Sequence, residues 1–298
     1  MTAPDLTVTI CSWNTVADLR ACLESLEPEH RETGCEVLVV DNASSDGSAD
    51  MVEQEFPWVR LLRMDTNLGF TGGHNVALDQ RKGRHAALLN SDTVVHFGAI
   101  RTLLEALSEE GVGIVGPQLL NPDGSLQYSC RRFPNPLAAA FRNTVLGRLF
   151  PKNRYVSEYL MQDFDHSQRR DVEWLSGAAL FLKGELLDAI GGLDESFFMY
   201  CEDVDICKRA WDAGYRVVYV PDAVVTHAIG RSTDQVANKM IVRFHRSMLR
   251  YFRKHLVSKV WLPLRPFAYL GAAGALGVRA GLFLAKNLWD EVGRRLRR

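Results

Sequence analysis

Three acids fall within four residues at Glu202, Asp203 and Asp205, directly after the bulky run Phe197-Phe198-Met199-Tyr200. A solvated acidic helix start explains the charge but not the apolar approach, although a helix dipole by itself favours acids in its first turn. A carboxylate held there stays ionised at neutral pH and is able to take a proton from a sugar hydroxyl. His227 ends the apolar run Val224-Val225-Thr226, where a core histidine is the plainer explanation. Its interest lies in spacing: a helix and a strand separate it from Asp203, which returns it to the same cleft rim.

Upstream, Leu88-Leu89-Asn90-Ser91-Asp92-Thr93 closes an apolar strand with oxygen-bearing side chains at i and i+2, which face one side. Mg²⁺ commonly takes one or two protein carboxylates and completes its shell with water and phosphate oxygens, so Asp92 suffices as the anionic ligand. A strand-end cap without metal is the alternative. Val39-Val40-Asp41-Asn42-Ala43-Ser44-Ser45-Asp46-Gly47 sets a carboxylate at a second strand end. Asp41 there can accept from a pyrimidine imide N–H or a ribose hydroxyl, or Asp41 and Asp46 are turn and helix-cap residues. Asn67-Leu68-Gly69-Phe70-Thr71-Gly72-Gly73-His74-Asn75 is a glycine-rich turn opening a helix, able to approach phosphate or sugar oxygens closely. It lacks both GxGxxG spacing and a P-loop ending.

These residues need a frame. Leu6 to Ser12 is β-branched and apolar, Val16 to Leu26 has helical spacing, and Glu36 to Val40 is a second apolar run. Val59 to Met64, Asn75 to Lys82 and His85 to Leu89 repeat the strand, helix, strand order. Such alternation predicts a parallel sheet flanked by helices, with ligands beyond the carboxyl ends of the strands, where Asp41 and Asp92 fall. Asn121-Pro122-Asp123-Gly124 reads as a tight turn, and Tyr128 to Asp171 as long, irregular and rich in mobile loops. Order returns with Trp174 to Leu182, a helix over Gly184 to Ile190, a helix from about Asp203 to Ala213 and a strand over Val217 to Val220.

Taken together, the segments resemble family 2 glycosyltransferases of the GT-A fold, especially the rhamnosyltransferase-like members that build bacterial cell-wall and surface polysaccharides. The match runs from about Leu6 to Thr233 and rests on six motifs in order. They are Ser12-Trp13-Asn14, the Val40 to Gly47 turn, Asn67 to Phe70, Leu89 to Thr93, Trp174 to Ala178, and Glu202-Asp203 followed by His227. The resemblance implies an α/β domain over residues 1–236 with a Rossmann-like, mostly parallel sheet flanked by helices, and an inverting, metal-dependent transfer. It assigns Ser12, Asn14, Asp41, Asn67, Gly69, Asn90 and Asp92 to the nucleotide-sugar donor, and Asp92 and His227 to a Mg²⁺ or Mn²⁺ on its diphosphate. Asp203 becomes the general base, Glu202 orients the acceptor or Asp203, and Trp174, Ser176 and Gly177 help form the acceptor cleft. Many relatives carry Asp-x-Asp where this chain has Asn90-Ser91-Asp92, so its first position offers only a neutral oxygen. The implied donor is dTDP-L-rhamnose and the implied acceptor a lipid-linked or growing glycan. A UDP-hexose donor and a catalytically silent sugar-nucleotide-binding subunit are the competing readings.

Among 298 residues, 47% hydrophobic and 24% charged, a net charge of −1 conceals a division. Residues 1–238 carry 21 Lys/Arg against 34 Asp/Glu, whereas 239–298 carry 14 against two. The basic extension, residues 237–298, calls for an anionic partner. Its apolar stretch Trp261 to Leu284 is interrupted by Pro263, Arg265, Pro266 and Arg279, so an interfacial helix pair with basic flanks is expected on a membrane. An oligomerisation helix or an extra layer on the core is the competing use. Nucleic-acid binding is not expected, because aromatic and basic residues do not interleave as a stacking platform. Six scattered cysteines without CxxC pairing and a start lacking signal-peptide features point to a cytoplasmic enzyme, peripheral on the inner face of the plasma membrane.

Overall fold

The computed structural model describes residues 3–142, 144–228 and 237–296. The end of the motif match at Thr233, the domain boundary after residue 236, and Arg297 and Arg298 lie outside them.

Twelve strands are present among these residues: β1 Leu6–Ser12, β2 Glu36–Asp41, β3 Arg60–Arg63, β4 His85–Asn90, β5 Thr93–Val95, β6 Val112–Leu120, β7 Leu126–Gln127, β8 Cys130–Arg131, β9 Arg170–Asp171, β10 Trp174–Leu175, β11 Ala179–Leu182 and β12 Arg216–His227. The helices are α1 Val16–Thr33, α2 Ser48–Glu55, α3 Gly69–Gln80, α4 Ala99–Ser108, α5 Pro136–Phe141, α6 Val145–Leu149, α7 Arg154–Tyr159, α8 Gly184–Ile190, α9 Glu202–Asp212, α10 Ala237–Tyr251 and α11 Arg265–Leu296. One sheet runs β3-β2-β1-β4-β11-β6-β12-β5, with β7 and β9 added at β6 and β12. It is parallel through β3, β2, β1 and β4, and again between β6 and β12, while β11 and β5 run antiparallel to their neighbours.

Register gathers the motifs. Ser12 pairs with Asp41, Cys11 with Asn90, and Thr93 with His227. The carboxyl ends of β1, β2 and β4 therefore form one rim at the place where strand order reverses, the crevice such sheets use for ligands. One core layer holds Leu19, Leu23 and Leu26 of α1 with Leu103 of α4; another holds Leu186 of α8 with Val204, Ile206 and Ala210 of α9. Each fully buried leucine stabilises by about 1.5–3 kcal/mol.

Several elements exceed their sequence-based bounds for local reasons. Helix α1 continues through Pro28 to Thr33 because buried Glu29 docks its carboxylate onto the backbone N–H groups of Gly98 and Ile100, capping α4. Strand β12 passes Pro221 through a register shift between Val220 and Val224, the kind of bulge at which a residue lacking an N–H is tolerated. Helix α3 begins at Gly69 rather than Asn75. The irregular middle contains α5, α6 and α7, with Asn135 and Asn153 capping α5 and α7.

The C-terminal segment departs furthest from expectation. Pro263 precedes α11 and Pro266 lies in its first turn, where the missing N–H has no helical partner to lose. The apolar window Leu262–Asn287 is therefore helical for 26 residues with mean hydropathy 1.5, long and apolar enough to cross a bilayer, which corrects the expectation of an interrupted stretch. Helix α10 packs against α9: Tyr251 is buried in the core layer of α9, and Ser247 Oγ donates to the Met199 carbonyl at 2.8 Å.

Candidate active site

At the rim, hydroxyls link the strand ends: Ser12 Oγ lies 3.0 Å from Thr15 Oγ1, and Thr15 Oγ1 lies 3.0 Å from Ser91 Oγ. Asp41 accepts the Ser44 N–H on Oδ2 at 3.0 Å, whereas its buried Oδ1 has no partner among the described residues. A buried carboxylate oxygen left open suits an incoming N–H or hydroxyl. Asn14, at φ +52°, accepts the Ser45 N–H on Oδ1 and donates its own N–H to Ser44, locking the β2 turn beside β1. Asp46 is a cap, accepting the first N–H of α1, from Val16, at 2.8 Å.

Asn67 Oδ1 accepts the Gly69 N–H at 2.8 Å. Gly69 sits at φ +77°, and a Cβ there would lie 2.5 Å from the Phe198 carbonyl oxygen. The close approach is thus to the segment leading into Glu202 and not to open space. His74 is a core residue: Nδ1 is 2.8 Å from Thr9 Oγ1, and burial pushes the imidazole down to about 3.

Asn90 and Asp92 face one side and meet His227. Its Nε2 lies 3.2 Å from Asn90 Nδ2 and 3.3 Å from Asp92 Oδ1, and its Nδ1 lies 2.7 Å from Gln127 Oε1. Gln127 also donates from Nε2 to the His227 carbonyl at 3.1 Å. An amide oxygen on Nδ1 assigns the proton to that nitrogen and leaves the Nε2 lone pair turned toward the Asp92 carboxylate. An imidazole lone pair and a carboxylate oxygen facing each other form a donor set for a divalent cation whose other positions come from phosphate and water. Among the described residues no group of three or more His, Cys, Asp or Glu side chains converges. Gln127 carries no sequence signal beyond its place after the Asn121 to Gly124 turn.

Glu202 and Asp203 open α9, preceded by Tyr200 at φ +70° and Cys201 at φ +67°. Two consecutive left-handed residues without glycine are strained, and that strain fixes how the acids leave the Phe197–Tyr200 approach. Asp203 Oδ2 accepts the Gly177 N–H at 3.0 Å and Oδ1 the Val204 N–H at 2.8 Å. Burial raises the Asp203 carboxyl above its ordinary value, opposed by those N–H groups and by Arg131. Burial, with Asp203 next, pushes Glu202 well above the usual range, and Glu202 Oε2 is buried with no partner among the described residues. Both carboxyls are thus raised, Glu202 the further of the two, because burial disfavours the charged form and each acid opposes ionisation of the other. Asp205 turns away, to Arg209 at 2.8 Å, His255 at 2.6 Å and Lys254 at 2.7 Å.

Gly177 and Ala178 join the two halves. The Ala178 carbonyl accepts the Asn90 N–H at 3.0 Å while the Gly177 N–H holds Asp203. Ser176 donates its N–H to the Ser129 carbonyl at 2.9 Å. Trp174 lies behind this wall, 6% exposed, with its indole N–H on the Arg132 carbonyl and the Arg131 guanidinium 5.4 Å from its ring. It supports Arg131, a residue that sequence reasoning did not single out. Asp92, His227 and the Asp203 wall thus share one rim, to which Asp41 contributes its open oxygen.

A mixed sheet carrying acids, an amide and an imidazole along the carboxyl ends of its strands has the architecture of a nucleotide-sugar glycosyltransferase. The chain resembles a mannosyltransferase from Pyrobaculum calidifontis solved with GDP-Man and Mn²⁺, at TM-score 0.56 and 19% identity over 98% of this chain and 81% of that one. It is 32% identical to the N-acetylglucosaminyl-diphospho-decaprenol L-rhamnosyltransferase of Mycobacterium tuberculosis, over 88% of this chain and 87% of that protein. A rhamnosyltransferase of Escherichia coli K12 is 24% identical over 64% of this chain and 72% of its own length. Residues 4–243 match the family described as glycosyltransferase like family 2. The chain belongs to that family and is a glycosyltransferase of the GT-A fold.

Proposed function

We propose that this glycosyltransferase moves L-rhamnose from dTDP-L-rhamnose, with inversion, to a hydroxyl of a lipid-linked or polysaccharide acceptor. The observation that carries it is the Asp203 carboxylate, half-buried and fixed by the Gly177 N–H on the rim that also holds Asp92 and His227. The donor and acceptor classes rest on similarity to the mycobacterial rhamnosyltransferase.

In this reading Asp41 takes the base or ribose through Oδ1, with Ser12, Asn14, Asn67 and Gly69 shaping the donor side. Asp92 and His227 hold Mg²⁺ or Mn²⁺, which when bound offsets charge on the departing diphosphate. The acceptor hydroxyl gives its proton to Asp203 as its oxygen bonds the anomeric carbon. The bond from that carbon to the phosphate oxygen breaks, its electron pair leaving with the nucleoside diphosphate. Attack opposite the leaving group inverts the configuration. Glu202 orients the acceptor or Asp203, and Ser176 and Gly177 border the acceptor.

The same reading holds the chain at the inner face of the membrane through α11, with residues 1–236 as the transferase domain and 237–298 as the extension. The test is a panel of nucleotide sugars with Mg²⁺ or Mn²⁺, read as released nucleoside diphosphate. Release from dTDP-rhamnose is expected; consumption of a UDP-hexose with dTDP-rhamnose inert overturns the donor and leaves the fold untouched.

A further inference from the structure

A cavity of about 1420 Å³ opens between the α5–α7 segment and the C-terminal helices α10 and α11, larger than the ~300–1,000 Å³ of ordinary small-molecule pockets. Phe141 and Leu160 line one wall; Phe252, Phe267, Leu276 and Phe283 line the other. Among its lining residues are four cations, Arg142, Arg148, Arg279 and Lys286, and no acid. An oily trough edged only with positive charge is complementary to one kind of molecule, a long apolar chain ending in a multiply charged anion.

The cations lead toward the catalytic carboxylate. Arg142 reaches the Tyr159 hydroxyl at 3.3 Å and lies 5.2 Å from its ring centroid. The Tyr159 carbonyl accepts the Arg132 N–H at 3.0 Å, next to Arg131, which donates to the Tyr128 carbonyl at 3.0 Å and whose buried Nε has no partner among the described residues. Arg131 acts electrostatically on Asp203 from there. Burial pushes the Arg279 guanidinium down, with Arg142 adding to the effect, and burial likewise lowers Arg131.

We propose that this groove is the acceptor's lipid site: it takes the prenyl chain of a prenyl-diphosphate-linked acceptor, and Arg142 and Arg279 at its edge hold the diphosphate. The acceptor's sugar then extends toward Asp203. The inference rests on the lipid-linked acceptor reading above and deepens it. The groove's outer wall is the apolar helix α11, so the chain enters from the hydrocarbon phase without crossing water.

The test is direct binding of a fluorescent geranylgeranyl diphosphate analogue to the full-length protein in neutral detergent micelles, without donor or turnover. Saturable binding is expected, competed by geranylgeranyl diphosphate and at least ten-fold less well by geranylgeraniol or by inorganic diphosphate. Arg142→Gln, Arg279→Gln and the groove-filling Leu276→Trp should each weaken binding at least ten-fold, and Arg279→Lys should recover part of it. Variants count only if their unfolding midpoints stay within about 2 °C of the parent, well under the shift of a 1 kcal/mol loss. Absent saturation, equal competition by the alcohol, or folded variants that bind like the parent overturn the groove. Sugar transfer to a prenyl-linked acceptor persisting in those variants would then show that the lipid-linked reading survives with its tail elsewhere. Saturable, variant-sensitive binding in a protein that transfers no rhamnose to such acceptors supports the groove and sinks the acceptor assignment instead.

Discussion

The backbone N–H of Gly177 donates to Asp203 Oδ2 across 3.0 Å, so the strand break between β10 and β11 sets the position of the acid that opens α9. A Cβ at residue 177 would lie 3.3 Å from Asp203 Cβ and 3.6 Å from Oδ2. Gly177→Ala should therefore displace the carboxylate and lower kcat about ten-fold or more with donor affinity unchanged. Asp203→Asn keeps an oxygen for the same N–H but has no basic lone pair to receive a full proton. It should lower kcat by roughly 10²–10⁴-fold while nucleotide-sugar binding, measured calorimetrically, persists. Loss of donor binding in Asp203→Asn would argue for a structural role.

The pH profile should carry the same residue's signature. Burial raises the Asp203 carboxyl and Arg131 pulls it back. A base works unprotonated, so the rate falls as pH drops through that raised value, and the acid limb of kcat lies above the ordinary aspartate range near 3.9. Arg131→Gln removes the opposing charge and should move the limb to still higher pH. A limb that stays put separates Arg131 from the base.

Gln127 fixes the His227 ring through Nδ1. Gln127→Leu should leave the fold intact yet raise the Mn²⁺ concentration needed for half-maximal activity by about 10–100-fold, the usual cost of losing such support. Asp92→Ala should abolish metal-stimulated donor binding, whereas Asn90→Asp, which restores a second carboxylate, should tighten it. Metal titrations of nucleotide release decide the matter, and an unchanged midpoint in Gln127→Leu removes the imidazole from the site.

Asp205 is surrounded by Arg209, Lys254 and His255, which hold its carboxyl below the usual range against the opposing effect of burial. Asp205→Asn strands those cations and should destabilise the protein by about 3–5 kcal/mol in chemical denaturation. Because the folded value is depressed, the stabilisation is present above the unfolded value near 3.9 and is lost as pH falls through the lower folded one. Acid unfolding of the parent should steepen below about pH 4. The Asn variant should lack that component.

Membrane attachment through the apolar segment of α11 is tested on its exposed face. Leu262, in the turn just before α11, and Leu270 within it are 68% and 65% exposed. Replacing both with Glu should shift the protein from floating with anionic vesicles to remaining in solution, since each charge opposes insertion by about 2.5–3.5 kcal/mol at membrane depth. Undiminished flotation would move the attachment to another surface.

Much of this was readable from residue order. Strand ends are set by where apolar β-branched runs meet polar residues, so Asp41, Asn90 and Asp92 lie at the carboxyl edge as their motifs require. Residues that work through long-range contacts were not readable. Glu29 capping α4, Gln127 orienting His227 and Arg131 facing Asp203 each depend on a partner 70 or more residues away, at 71, 100 and 72 positions respectively. Trp174 was assigned to the acceptor cleft from its motif, yet the motif is silent on which side of β10 the indole turns. Pro263 and Pro266 resemble interruptions in a linear reading, and only their places, one in the turn before α11 and the other in its first turn, make them harmless.

Lys254 and His255 follow α10 directly and grip Asp205, two residues along α9 from the base. If the proposed attachment through α11 holds, that grip acts as a ruler: it fixes the height of Asp203 above the bilayer, and an acceptor whose sugar sits nearer to or further from its lipid presents the wrong rung.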